Sequence, residues 1–222
     1  THGQQCVGGL TGHNDDGTVR ECHAGGHVAG DADVGGLVGY NYGKAWTSLG
    51  VGVANGPVSA GGWTILNAYA TATATGQESV GGLVGRNAGA IRNCYAVGQI
   101  HGANEVGGLA GSGDGDIIVS FWDTETSGRM GSAAGDGKTT REMQRRETFV
   151  LWGACGNDGI WTIDEGKDYP RLFWEGTPGQ IIGPTCLSDV LAGTGTRDDP
   201  LLILTGRDFA MLALFPCEWN QH

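Results

Sequence analysis

Proline is scarce in this chain, six residues in 222 against 43 glycines, and no Gly-X-Y period runs through it, so polyproline and collagen-type structures are excluded. Basic residues are also few. Thirteen Lys and Arg stand against 24 Asp and Glu, a formal net charge of −11, which removes the electrostatic basis for a nucleic-acid partner and weakens attraction to anionic membranes. No apolar run reaches the ~20 residues of a membrane-spanning helix, the longest lying near "LLIL" and "FAMLALF", so no membrane insertion is expected. The opening "THGQQCVGG" has neither a basic n-region nor an apolar h-region, and any signal peptide is expected to have been removed or to lie outside this sequence. Common catalytic signatures are missing as well. There is no G-x-S-x-G elbow, no H-E-x-x-H, no CxxC and no Cys/His metal spacing, which leaves no ready assignment to serine hydrolases, zincins or zinc modules.

What the chain has instead is a repeat. The phrase "VGGL" begins at Val7, Val34, Val80 and Val106, at intervals of 27, 46 and 26 residues, a period that marks a stacked-repeat architecture. Residues 18–37 align without a gap on 90–109, pairing Cys22 with Cys94, Val28 with Ile100 and Val34 with Val106. The longer middle interval implies an inserted coil or loop at about 38–66. The stretches "NAYATATATG" (67–76) and "NCYAVGQIHG" (93–102) alternate small or apolar side chains with polar ones, which is the period of a strand. Ala68, Ala70, Ala72, Ala74, Cys94, Ala96 and Ile100 are expected to face inward, and Tyr69, Thr71, Thr73, Thr75, Tyr95 and Gln99 outward. The expected fold is all-β, a β-solenoid of stacked coils of about 26 residues. Glycine would turn its corners through positive φ and allow close backbone approach.

The pattern VGGLVGxNxGxIxNCYAxGxIxG, read off residues 80–102, resembles the GLUG motif of large secreted or cell-surface bacterial proteins. The likeness is close over 80–111, good over 7–30 with His23 where the motif has an aromatic, and interrupted over 34–79. "FWDTETSG" (121–128), "GKTTREM" (137–143) and "WTIDEGKDYPRLFWE" (161–175) are similar to the tail that commonly follows such repeats. The resemblance implies β-solenoid architecture and a bacterial or archaeal protein exported to the cell surface or beyond. It carries over no catalytic residue.

The organisation expected is a solenoid over 1–120, a Trp-rich mixed cap over 121–175, a linker over 176–192, and a last segment over 193–222. Stacked strands leave open edges that need capping. In the cap, Thr139 and Glu142 form the Thr-x-x-Glu pattern of a capping box before a short helix, "IWTID" reads as a strand and "KDYP" as a turn. The last segment pairs a short strand at 201–204 with a helix capped by Thr205 in a Thr-x-x-Asp variant. It resembles the start of a further β-helical module or an inter-subunit segment, and the chain is expected to be a fragment of a longer protein or a subunit completed by a neighbour.

Candidate sites follow from residue chemistry. Cys22 and Cys94 fall at inward positions of equivalent strands, about two rungs apart, and are expected as buried apolar residues. Cys155, Cys186 and Cys217 are candidate disulfide partners in an exported protein, with connectivity open. Asp114 and Asp116, in "GDGD", are the first candidates for Ca²⁺, although no EF-hand or glycine-rich calcium repeat is present. Asp123 with Glu125 and Asp164 with Glu165 are the carboxylate pairs a glycosidase or polysaccharide lyase would draw on, though sequence neighbours on a strand point apart. Trp122, Trp152, Trp161, Tyr169 and Trp174 are a candidate glycan platform, weighed against the core of the cap.

The function expected is a non-catalytic extracellular or cell-surface repeat protein in adhesion, surface structure or self-assembly, with filament formation as one form. Its partners would be further copies, other surface proteins or glycans. The alternative is a polysaccharide-binding or polysaccharide-degrading β-helix, since a repeat fold offers a groove in which carboxylates from successive coils converge.

Overall fold

The computed structural model describes residues 3–43, 64–153, 159–183, 186, 188, 191–205 and 208. These form two compact units that divide between Met143 and Gln144. The first consists almost wholly of short strands. Its first repeat holds β1 (Gln5–Gly8), β2 (Thr11–Asp15), β3 (Val19–Ala24) and β4 (His27–Ala29). The second holds β5 (Ala32–Gly35), β6 (Val38–Tyr42), β7 (Ile65–Ala70) and β8 (Thr73–Thr75). The third holds β9 (Glu78–Gly81), β10 (Val84–Ala88), β11 (Ile91–Arg92), β12 (Tyr95–Ala96) and β13 (Ile100–His101). The fourth holds β14 (Asn104–Gly107), β15 (Ala110–Ser112), β16 (Ile117–Ile118) and β17 (Phe121–Asp123), and β18 (Asp136–Lys138) follows. Two single-turn helices, α1 (Thr124–Ser127) and α2 (Thr140–Met143), interrupt this series.

All strand pairs in this unit are parallel, and all but β17 with β18 join equivalent residues of neighbouring repeats. One sheet runs β1-β5-β9-β14, a second β2-β6-β10-β15 and a third β4-β8-β13. In the fourth, β3 pairs with β7, which is continued by β11 and β12, then β16 and β17, with β18 beyond. Val7, Val34, Val80 and Val106 stand in one column, and Val19, Ile65, Ile91 and Ile117 in another. The VGGL intervals are therefore the strand registers. Because β6 and the start of β7 are in register with both neighbours, the inserted residues narrow to those between Tyr42 and Ile65. Whether they make a coil or a loop lies outside the described residues. The parallel ladder also runs past residue 120, since β17 pairs with β12 and β18 with β17.

Inward columns form the core. Leu37, Val38, Ile65, Ala68, Leu83, Ile91, Cys94, Leu109 and Trp122 belong to one cluster, and Val7, Val28, Val34, Ala74, Val80 and Ile100 to another. Each large aliphatic buried this way contributes roughly 1.5–3 kcal/mol. Polar columns are stacked as well. Asn14 Nδ2 donates to Asn41 Oδ1 at 2.9 Å, and Asn41 Nδ2 to Asn87 Oδ1 at 2.8 Å, inside the fold. Along the strand faces expected to point outward, His23, Tyr69 and Tyr95 stack at 4.8 and 4.9 Å. Tyr69 and Tyr95 are fully buried, against the expectation that they face solvent. Alternation reports only which side of a strand a residue takes, not what covers that side. Thr71, Thr75 and Gln99 are exposed as expected.

Of the two tasks expected of glycine, the VGGL glycines perform close backbone approach, and positive φ falls to glycine at Gly26 and Gly113 but not at most corners. Positive φ recurs at non-glycine positions: Cys6, Asp33, Ser79 and Glu105 in one column, and Glu21, Asn67, Asn93 and Val119 in another, all between 41° and 52°. These residues kink the chain just before the Val of VGGL and within the fourth sheet. The VGGL glycines serve close approach alone. A Cβ on Gly36 would strike the Gly82 carbonyl oxygen, and one on Gly82 the Gly108 carbonyl oxygen.

In the second unit, β19 (Trp161–Ile163) pairs antiparallel with β20 (Arg171–Leu172) and β21 (Gln180–Ile181). Trp152 lies against both Phe149 and Trp161, with ring centroids 4.6 Å apart in each case. The strand expected at "IWTID" is thus present, and the "KDYP" turn is tied by an Arg171–Asp168 ion pair of 3.2 Å. Around 201–204 the structure has a single bridge, Ala192 to Leu202. Thr205 and Asp208 make the reciprocal capping contact, with Thr205 N donating to Asp208 Oδ2 and Asp208 N to Thr205 Oγ1. The helix expected after it lies outside the described residues.

Gly82→Ala places its methyl against the Gly108 carbonyl oxygen and 2.8 Å from Ala96 Cβ. It is expected to cost about 1–3 kcal/mol, as overpacking does. Gly131→Ala, which meets nothing within 4 Å, should leave the urea midpoint of circular-dichroism unfolding in place.

Candidate functional site

The kink column Cys6, Asp33, Ser79 and Glu105 stands at equivalent positions of four successive repeats, so its side chains are presented one per strand spacing, ~4.8 Å apart along the stack. Beside it runs the outward column of β2, β6, β10 and β15, made of His13, Tyr40, Arg86 and Ser112. Between the two opens a concavity of about 390 Å³, lined by Asp33, Glu78, Ser79, Arg86, Glu105 and Ser112, with Gln5, Ala32 and Gly113.

Its polar groups are partly tied together. Ser79 Oγ donates to Glu105 Oε2 at 2.6 Å, and Ser112 Oγ to Ser79 Oγ at 2.9 Å. The Ser79 and Ser112 hydroxyls, helped by Arg86, hold the Glu105 carboxyl below the usual range. Glu105 is thus ionised at neutral pH and cannot serve as a general acid there. The Arg86 guanidinium lies 5.6 Å from the Tyr40 ring, whose other neighbour is His13, stacked at 5.0 Å. Rings stacked along the axis cover one another's faces and present edges outward. This arrangement can hydrogen-bond a polar ligand, with three carboxylates and one guanidinium on offer.

The residues singled out in the sequence lie elsewhere. Asp123 is fully buried and caps α1, its Oδ1 accepting from Glu125 N at 2.8 Å and Thr126 N at 3.1 Å. Its Oδ2 accepts from Thr140 Oγ1 at 2.7 Å, and Glu125 Oε2 accepts from Thr140 N at 2.8 Å. This first pair ties α1 to α2. The expected capping box is also present there, with Glu142 N donating to Thr139 Oγ1 at 3.2 Å and Thr139 N to Glu142 Oε2 at 2.8 Å. Asp164 pairs with Lys167 at 3.2 Å, and Glu165 accepts from Arg146 N at 3.4 Å. Trp122, Trp152 and Trp161 are core residues, each at most 5% exposed, so their faces are closed to a sugar. Tyr169 is half-buried and Trp174 is 59% exposed. The five aromatics therefore do not make one surface.

Cys94 is fully buried, and burial pushes its thiol far above its ordinary value; Cys22, less enclosed, is pushed up to about 11 for the same reason. Both pack with the core, with Ala68 opposite Cys22 in the register. Cys186 is exposed, while Cys155 and Cys217 lie outside the described residues. Asp114 and Asp116 are exposed in the loop after β15, and among the described residues no group of three or more His, Cys, Asp or Glu gathers as a metal site.

The concavity was missed because its members differ in type from repeat to repeat. The signal that finds it is position: the residue before each VGGL valine, together with the one two places into the next strand.

In-register parallel strands built from recurring units place the chain among the all-β repeat proteins. The model of the GLUG motif matches it at two places, residues 3–29 and 76–100, in the first and third repeats. No curated protein and no solved structure matches the chain.

Ser79→Ala removes the donor that contributes most to the Glu105 shift. The Glu105 carboxyl, followed by NMR titration, is expected to move up toward its ordinary value. In the unsubstituted chain, the linked stabilisation is present above that ordinary value and fades as pH falls through the depressed one.

Proposed function

We propose that the chain is a non-catalytic β-solenoid segment of an exported bacterial or archaeal protein, acting at the cell surface or outside the cell in adhesion, surface structure or self-assembly. The observation that carries this reading is the column-by-column register of four repeats, with core, asparagine and aromatic ladders running through it. Such stacking lengthens by whole units without a new core, which suits a spacer or a scaffold. The acidic balance of the chain favours an exposed, soluble surface over nucleic acid or anionic lipid. Carboxylates that a glycosidase would need are instead caps and ion-pair partners. A second reading, polysaccharide binding, is favoured by the polar concavity alone.

Two experiments test these readings. Deleting residues 78–103 removes one whole repeat and brings Val106 into register beneath Val34; the shortened chain is expected to fold with β-type circular dichroism and a cooperative transition. Deleting residues 78–90 breaks the register and is expected to abolish folding. Loss of structure in both would overturn the solenoid. Incubation with neutral and uronic polysaccharides should release no new reducing ends; turnover abolished by Asp123→Asn or Glu125→Gln would replace the structural reading with an enzymatic one.

A further inference from the structure

Several columns of the stack repeat one kind of side chain. Val7, Val34, Val80 and Val106 do so along a core column, and Asn14, Asn41 and Asn87 along the buried amide ladder. The two columns that border the concavity do not. Cys6, Asp33, Ser79 and Glu105 stand on one side, and His13, Tyr40, Arg86 and Ser112 on the other. Register does not dictate which side chains stand there, so their chemistry is open to another use.

Hydrogen-bonding capacity of both kinds is left over in the concavity. Among the described residues the Arg86 guanidinium touches the Tyr40 ring, at 5.6 Å, and bonds to none of the nearby carboxylates. The Glu78 carboxylate, exposed on β9, has no hydrogen-bond partner among them either. Glu105 accepts from Ser79 through Oε2 at 2.6 Å and keeps Oε1, and Ser112, donating to Ser79 at 2.9 Å, keeps its lone pairs. These groups do not converge on a point, and no metal cluster forms among the described residues. Asp33, Glu78 and Glu105 come from three successive repeats, spaced along the stack at ~4.8 Å per strand.

We propose that this concavity binds an uncharged polysaccharide, laid along the stack, through the hydroxyl groups of its sugars. Complementarity selects the class. A uronate would satisfy Arg86 but meet three carboxylates, and an ammonium group would satisfy the carboxylates but meet Arg86. A hydroxyl both donates and accepts, so neighbouring hydroxyls on one ring serve a carboxylate and the guanidinium together, in the stronger, charge-assisted kind of hydrogen bond. A chain of sugar rings presents these groups at intervals, as the repeats do. The Ser112–Ser79–Glu105 bonds hold an acceptor in place in advance, which lowers the ordering cost of binding. The inference deepens the polysaccharide-binding reading and rests on it.

Affinity electrophoresis of the full chain is the test, in native gels carrying a neutral β-glucan, a neutral mannan, polygalacturonate or glycol chitosan. Retardation by a neutral polymer is expected, persisting when salt screens exposed charges. Arg86→Met and Glu78→Ala are each expected to weaken it about tenfold, as loss of a hydrogen bond to a charged group does. Both residues are exposed, so circular dichroism should be unchanged; if one variant fails to fold, the other decides. Thr75→Ala, exposed on β8, should leave retardation as it is. Retardation by polygalacturonate or glycol chitosan alone overturns the uncharged class while sustaining polysaccharide binding, and retardation by none of the four overturns both. Neutral-polymer binding that survives Arg86→Met combined with Glu78→Ala belongs to another surface and overturns the site.

Discussion

Everything in the repeat unit depends on backbone meeting backbone at the paired glycines. Gly36 faces the Gly82 carbonyl and Gly82 the Gly108 carbonyl with no room for a Cβ between them. That contact fixes how far one repeat sits from the next, and with it which residue stands over which. Glycine costs conformational entropy on folding, up to about 1 kcal/mol relative to alanine in regular structure. A chain with 43 of them offsets that cost only by stacking, because each repeat closes its neighbour's core and hydrogen bonds. Local stability and repeat-to-repeat contact are then the same quantity.

Once the register is set, buried asparagines can hydrogen-bond their copies one strand away. Asn41 both accepts from Asn14 and donates to Asn87, so only the ends of a ladder face an unmet group. One such end is visible. Asn93 Nδ2 donates to Asn67 Oδ1 at 3.1 Å, but its own Oδ1 is buried without a partner, and the next residue in that column is Val119. A β-branched residue at φ 41° is strained, and a valine side chain has no donor to give. The fourth repeat departs from the pattern in both respects.

The repeat, its strands and its registers were legible in the sequence because a single phrase recurs at fixed intervals, and phrase spacing and strand register are one and the same. The capping box at Thr139 and the strand at Trp161 were legible as local patterns. The corners were legible only in part, at Gly26 and Gly113. Positive φ is expected of glycine, yet here Asp33, Ser79, Asn67 and Asn93 carry it, because neighbouring repeats hold each kink in place and outweigh the preference of any one residue. Burial of Tyr69 and Tyr95 was equally hidden, since alternation along one strand carries no information about layers outside it. Asp123, read as a candidate acid, is a helix N-cap. The "DTET" that follows the strand was the available signal, an acceptor side chain just before a turn of helix.

Repetition also explains why chemistry is hard to place in this chain. A catalytic site needs unlike groups converging at one point, whereas a column of equivalent positions sets side chains side by side along a line. The concavity beside the Cys6–Glu105 column shows the consequence: carboxylates from successive repeats are spread along the axis, and the serine hydroxyls between them keep Glu105 ionised. Such a surface is suited to meeting something extended.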